Sequence, residues 1–396
     1  MIKDEKREIR KYLILSAYLL WLCSAVLGIT LWNDFTLIKE LRNYFMQLAY
    51  LMLIITFLFK SQYSQRDVIG IGVILFCCIV SAQSVYNNTI IPVIIFAYFM
   101  SEINFEWTLK STFLLQAIMM IITIVACKTG ILEDIIWQEG DRIRYSLGYD
   151  YCGYPAHILF FMTLIWFSLR KKARIFEGAL FLFLNYGMYV ITDSRTDFAL
   201  SVVGVAGFFI WERSQKYKSL NIIKNHITKY SFMIAAIVSI IVHWIYNEQN
   251  STMAKINMLL NGRLALGHDA ITTYGFSLFG QKIRWIGQGS LKADPTRVYN
   301  YVDCSFLKEA LSYGIVFFIV LGIGFYIASK KIILLKNNIL GWAILMSLAY
   351  SVINAHLCVL TFNVFILILG GCFSNQMFEK MTVPLLENDE RCINVE

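Results

Sequence analysis

The chain has 396 residues, of which 58% are hydrophobic and only 16% charged, with just 4 prolines. Soluble globular domains carry about 25% charged residues, so this composition excludes one and describes an all-α polytopic integral membrane protein. The net charge of +8 then belongs to topology and carries no nucleic-acid signal.

The basic start MIKDEKREIRK runs into an apolar stretch of about 20 residues with no small-residue cleavage site. That predicts a first span and not a removed signal peptide. Apolar runs follow in chain order at residues 12–31, 44–59, 68–84, 89–100, 112–127, 155–169, 175–191, 198–211, 230–246, 306–328, 339–352 and 357–371. These predict about twelve transmembrane helices, within a range of 10–12, because several runs are shorter than the ~17 residues a perpendicular helix needs. Run 89–100 is the weakest. With twelve spans both termini share a side, and the loops on that side hold 22 of the 35 basic residues. The turn RKKAR (170–174) and the stretch 212–229 contribute most. Under the positive-inside rule that side is cytoplasmic.

Three connections then face outward: loop 128–154, the short turn TDSRTD (192–197) and the stretch 247–303. The last is a large structured extracytoplasmic loop within a single domain, 1–396. In it Met253, Ile256, Leu260, Leu264 and Ile271 recur at helical spacing, which predicts one amphipathic helix in the membrane interface. Gly275, Gly280, Gly287 and Gly289 after it imply tight turns or close backbone approach.

Most of the 9 cysteines lie in apolar runs and act as small hydrophobes. Cys152 and Cys304 fall in polar loops of the same side and are the one pair placed to bridge. No Cys–His spacing suits zinc, and there is no P-loop, dinucleotide fingerprint, HExxH or nucleophile elbow.

Among the polar residues, Arg195 sits between Asp193 and Asp197 in the outward turn. Either it is a local cap partner neutralised by an aspartate, or it is a guanidinium fork for phosphate. Arg263 and Arg284 are either solvated loop residues or, clustered with Arg195, a diphosphate site. Asp303 directly precedes a span and reads either as a helix cap or as a general base or hydroxyl ligand, with Lys308 and Glu309 nearby. His268 and Asp269 diverge on a helix, so a triad-type pair is disfavoured. His157, His243 and His356 lie at span ends and read as interface residues.

NGRLALGHDAITTYGFSLFGQKI, VDCSFLKEALSYGI and TDSRTDFAL together resemble the Wzy-type polysaccharide polymerases of bacterial capsule and O-antigen systems. The resemblance covers about a third of the chain. It implies a glycosyltransferase that polymerises undecaprenyl-diphosphate-linked oligosaccharide repeat units at the outer face of the bacterial cytoplasmic membrane. Donor and acceptor are both lipid-linked, undecaprenyl diphosphate is the leaving group, and no metal or cofactor is required. A flippase and a chain-length regulator are the expected partners, with membrane lipid and no nucleic acid. Asp303 and Arg263 would be catalytic, and Arg195, Arg284, Asp193 and His268 would bind substrate. The alternatives are a lipid-linked oligosaccharide flippase or transporter, an O-antigen-type ligase (which usually keeps a His near the position of Asp303) and a peptidoglycan-type polymerase. Nearly charge-free span centres argue against the flippase.

Overall fold

The computed structural model describes residues 2–60, 62–84, 88–139, 142–170, 174–213, 218–287, 296, 298–335 and 337–378. Gly289, Asp141, Lys171, Lys172, Lys216, Lys292 and Cys392 lie outside them.

Each of the twelve apolar runs becomes a helical element. In chain order these are α1 (Ile2–Leu27), α2 (Thr36–Leu58), α3 (Gln65–Gln83), α4 (Ile90–Met100), α5 (Phe105–Lys128), α6 (Tyr154–Ser168), α7 (Ile175–Thr192), α8 (Arg195–Arg213) and α9 (Lys218–Trp244). Two short helices follow, α10 (Ser251–Leu259) and α11 (Arg263–Tyr274), then α12 (Ser305–Leu334), α13 (Asn338–Ile353) and a 3-10 helix, Val364–Cys372. Among the described residues seven helices are long and apolar enough to cross a membrane: α1, α2, α3, α5, α7, α9 and α12. The chain is a mainly helical membrane protein, and seven of its twelve apolar runs lie in helices of that length and composition.

The shortfall has a physical pattern. The long helices turn large apolar side chains outward, as α2 does with Leu51, Ile54 and Leu58 and α9 with Ile234, Ile237 and Ile241. The short ones, α4, α6 and α13, are buried almost throughout. Packing against protein instead of lipid relieves them of matching the hydrocarbon thickness. Run 357–371 is the extreme case. Its second half is a 3-10 helix whose residues Val364–Gly371 are all buried. Irregular backbone at this depth is tolerated where protein surrounds it.

Three further expectations change. Stretch 212–229 is largely helix, because α9 begins at Lys218; polar residues extend a helix beyond its apolar run. The single amphipathic helix is two helices, broken where Asn261 and Gly262 take positive φ (52° and 80°). Loop 128–154 carries a β-hairpin, Ile136–Glu139 with Arg142–Tyr145. Cys152 and Cys304 are both buried free thiols and form no bridge.

The polar residues collect at two ends. At one, Glu102 accepts from Arg10 at 3.1 Å and Arg66 at 2.9 Å, and Asp67 takes Lys60, the Tyr98 hydroxyl and the Ser64 backbone and side chain. The other end gathers the 128–154 loop, the α7–α8 turn, α11 and the start of α12.

The loop after α11 docks onto a break in α12. Gly314 has φ 85° inside that helix. A Cβ there would lie 2.6 Å from the Leu278 carbonyl oxygen, and one on Gly280 would lie 2.8 Å from the Ser312 carbonyl oxygen. Only glycines fit this approach. The freed backbone groups are reused: Gln281 N donates to Ser312 O, and Ile315 N and Val316 N donate to Ser277 O and Leu278 O. The LFG and YGI motifs therefore interlock.

Candidate functional site

Arg263 opens α11 directly after the positive-φ residues, and that turn aims it across the loop. Its Nε lies 3.0 Å from an Asp303 carboxylate oxygen, and its Nη1 donates to the Ile353 carbonyl at 2.8 Å. One guanidinium thus joins the start of α12 to the C-terminal end of α13, where a cation suits the helix dipole. The N-cap of α12 is Cys304, so Asp303 stands one residue outside the cap position, with its carboxylate turned to Arg263. Both side chains of the pair are 25% exposed, enough for a substrate to reach them. Burial pushes the Asp303 carboxyl above its ordinary value, against the pull of Arg263, Lys308 and His157. Lys308 lies over the Tyr301 ring and donates to its hydroxyl at 3.2 Å.

Beside this pair is a buried triad. His157 on α6 places Nδ1 2.7 Å from Asp197, and the Tyr350 hydroxyl lies 2.9 Å from the same carboxylate oxygen and 2.6 Å from His157 Nδ1. A carboxylate at Nδ1 selects the tautomer that leaves the Nε2 lone pair free. His356 packs on His157 with ring centroids 4.8 Å apart, and its own Nδ1 has no partner. The aromatic series continues from Phe362 through Tyr154 and Tyr151 to Trp137.

The hairpin supplies more positive charge. Arg142 and Arg144 alternate with Ile143, so both reach the same side. Arg142 Nε bonds Asp193 at 2.5 Å; Arg144 Nε donates to Thr192 O at 2.8 Å, with its guanidinium over the Tyr151 ring. Asp193 caps α7 with φ 46°. Burial raises its carboxyl, but Arg195 and Arg142 outweigh this and hold it below the usual carboxylate range.

The residues expected from sequence thus fall into different places. Arg263 and Asp303 meet directly. Arg195, with a side chain 67% exposed, pairs with Asp193 at 3.1 Å, which is the local neutralisation expected as one alternative. Arg284 is exposed on the strip between α11 and α12, and its backbone oxygen accepts from Asn300. Arg195 and Arg263 thus pair with different carboxylates, Asp193 and Asp303. His268 turns its Nδ1 to the His243 carbonyl at 3.1 Å, at the end of α9, and diverges from Asp269 as expected. Arg144, His157, Asp197, Tyr350 and His356 form a group that spacing along the chain does not reveal; His157 is buried, with the half-buried His356 packed on it, instead of lying at an interface.

Among the described residues no group of His, Cys, Asp or Glu is arranged to hold a metal ion. No family model matches this chain, and neither a curated protein nor a solved structure matches it.

Proposed function

We propose that this chain is a membrane glycosyltransferase that polymerises lipid-diphosphate-linked oligosaccharide repeat units into a capsular, exo- or O-antigen polysaccharide. The observation that carries the reading is the Arg263–Asp303 pair, partly exposed among Lys308, Arg144 and a series of aromatic rings. Basic groups beside aromatic rings suit a glycan attached to a diphosphate. The topology that accompanies it has twelve crossings and both termini cytoplasmic, with 247–303 and the site outside, in the bacterial cytoplasmic membrane.

In this reading the acceptor hydroxyl oxygen bonds to the anomeric carbon of the growing chain. The bond from that carbon to the lipid diphosphate breaks, and its electron pair leaves with the diphosphate. Arg263 and Lys308 stabilise the charge that builds up on the leaving group. As Arg263 engages the diphosphate, Asp303 is released to take the hydroxyl proton. A carboxyl raised by burial is a better base near neutral pH than an ordinary one. The Asp197–His157 pair stands beside it to receive the proton onward at Nε2.

The second reading is a lipid-linked oligosaccharide flippase. It is favoured by the break in α12 next to the fully buried Glu309, whose carboxylate oxygens have no partner. Transporters build binding sites at such interrupted helices. The two readings separate in proteoliposomes supplied with undecaprenyl-diphosphate repeat units, chelator and no nucleotide. Polymerisation is expected to give a glycan ladder and free undecaprenyl diphosphate. Translocation of single units without new glycosidic bonds would refute the proposal.

A further inference from the structure

A pocket of about 380 Å³ lies on the flank of α11, walled by Asp269, Thr273, Tyr274, Ile286, Tyr299 and Asn300. Its chemistry differs from that of the Arg263–Asp303 pair. Among the described residues that line it none is Lys, Arg or His, and the charged one is Asp269. A phosphate would be repelled there. A neutral polyhydroxylated ring would find what it needs: a carboxylate to accept from hydroxyls, two phenol rings to cover an apolar face, and the hydroxyl of Thr273.

The wall is held ready. Asn300 Oδ1 accepts from Ile286 N at 2.6 Å, while Nδ2 donates to Arg284 O at 3.1 Å and to the Tyr274 hydroxyl at 2.8 Å. The Tyr274 oxygen is thus already an acceptor, which leaves its proton to donate to a ligand. Trp285 packs edge-on against the Tyr274 ring at 5.8 Å and is itself tied to Ser312 on α12 at 2.9 Å. Tyr299 lies four residues before Asp303, so one short segment carries both the pocket wall and the carboxylate of the reacting centre. Asp269 follows Arg263 on the same helix by six residues, ~9 Å of helical rise.

We propose that this pocket is a sugar subsite, taking one neutral ring of the glycan next to the ring that reacts. The inference rests on the glycosyltransferase reading and adds to it where the non-reacting sugar is held.

The test is direct binding. The probe is the lipid-free repeat-unit oligosaccharide released by mild acid from cells lacking this protein. It is titrated against the full chain in nanodiscs and read by saturation-transfer NMR, with inorganic pyrophosphate as competitor. The expected result is binding that pyrophosphate does not displace and that weakens at least about tenfold in Asp269→Ala, as loss of a hydrogen bond to a charged group implies. Thr273→Val, a near-isosteric change at an exposed position, is expected to weaken it about two- to tenfold. Unchanged affinity in both variants, or no binding to the wild type, overturns the subsite. Absent sugar binding beside normal polymerisation removes the subsite alone. Sugar binding at this pocket without polymerisation keeps the subsite and removes the polymerase reading.

Discussion

The two ends of the bundle carry similar residues and use them differently. At the Glu102 end each carboxylate is claimed by several donors: two arginines for Glu102, and Lys60, Ser64 and Tyr98 for Asp67. Among the described residues the atoms without partners there include the Nε of Arg10 and Arg66 and, at the turn between α6 and α7, Arg170 Nε and one Glu177 oxygen, none of them on Glu102 or Asp67. At the Asp303 end the arrangement is looser. Arg263 reaches Asp303 through Nε and spends Nη1 on a backbone carbonyl, while His356 Nδ1, Asn354 Nδ2 and both oxygens of Glu309 are buried without partners. Buried polar groups are normally satisfied, and each exception asks for a reason. A closed network locks helices together; an open one keeps bonding capacity for a substrate.

The largest effects that would break this contrast fall on Arg263. Arg263→Ala is expected to cut polymerisation about 10²- to 10³-fold at unchanged protein level, the usual cost of losing one donor to a developing charge. Arg263→Lys is expected to be nearly as damaging, because one ammonium cannot replace a fork that bridges Asp303 and Ile353. Initial rates on purified protein check both; near-normal turnover in either would count against the site.

At the opposite end the expected loss is in stability. Asp67 is 1% exposed and paired with Lys60, so Asp67→Ala leaves Lys60 with Glu102 alone, at 3.9 Å, takes the acceptor from the buried Tyr98 hydroxyl and costs about 1–3 kcal/mol. Thermal unfolding in detergent measures it, and turnover per folded molecule is expected to hold. A stable Asp67→Ala protein with lost activity would reverse the roles assigned to the two ends.

The pH dependence sharpens the contrast. Asp303 must be ionised to act as base, and burial raises it above 3.8. The rate is therefore expected to fall as pH drops through that raised value, on an acid limb above the ordinary carboxylate range. The folded state holds this proton more tightly than the unfolded chain does. Asp303 therefore costs stability at higher pH, and the cost disappears as pH falls through the ordinary carboxylate value. An acid limb at the ordinary carboxylate value, in a turnover profile corrected for unfolding, would remove Asp303 as the base.

Smaller still is Tyr350→Phe. It removes one hydrogen bond to Asp197 and is expected to slow turnover about two- to tenfold. The smallest effect belongs to Arg195→Ala. An exposed ion pair contributes little, so polymer length on a gel is expected to stay close to wild type. Collapse of the ladder to single units would return Arg195 to the substrate site.

Hydrophobicity made the helical elements legible, since every apolar run became one. It could not say which of them meet lipid. Runs 89–100 and 357–371 are apolar because protein surrounds them, and composition does not distinguish that from lipid. Gly280 was legible as a turn or close approach, but its partner Gly314 was not, because a glycine inside an apolar run reads as an ordinary span residue. The hairpin has a short sequence signal: IWQE and RIRY flank Gly-Asp, an alternating pattern around a turn pair. The triad left none. His157, Asp197 and Tyr350 stand on three helices far apart in the chain, and each alone reads as a span-end residue, a cap or a core tyrosine. Arg142 and Arg144 were visible as charges in an outward loop. Their target, the end of α7, exists only in the fold.

One paired substitution tests the central claim most directly: Asp303→Asn against Asp67→Asn, each removing one carboxylate charge at one end of the bundle. Polymer length and thermal stability are measured side by side in the reconstituted system. Asp303→Asn is expected to keep its stability and stop at single repeat units, and Asp67→Asn to lose stability while each folded molecule still makes long polymer. Wild-type polymer from Asp303→Asn at normal protein level would contradict the account, because the carboxylate beside Arg263 would then be structural like its counterpart at the other end.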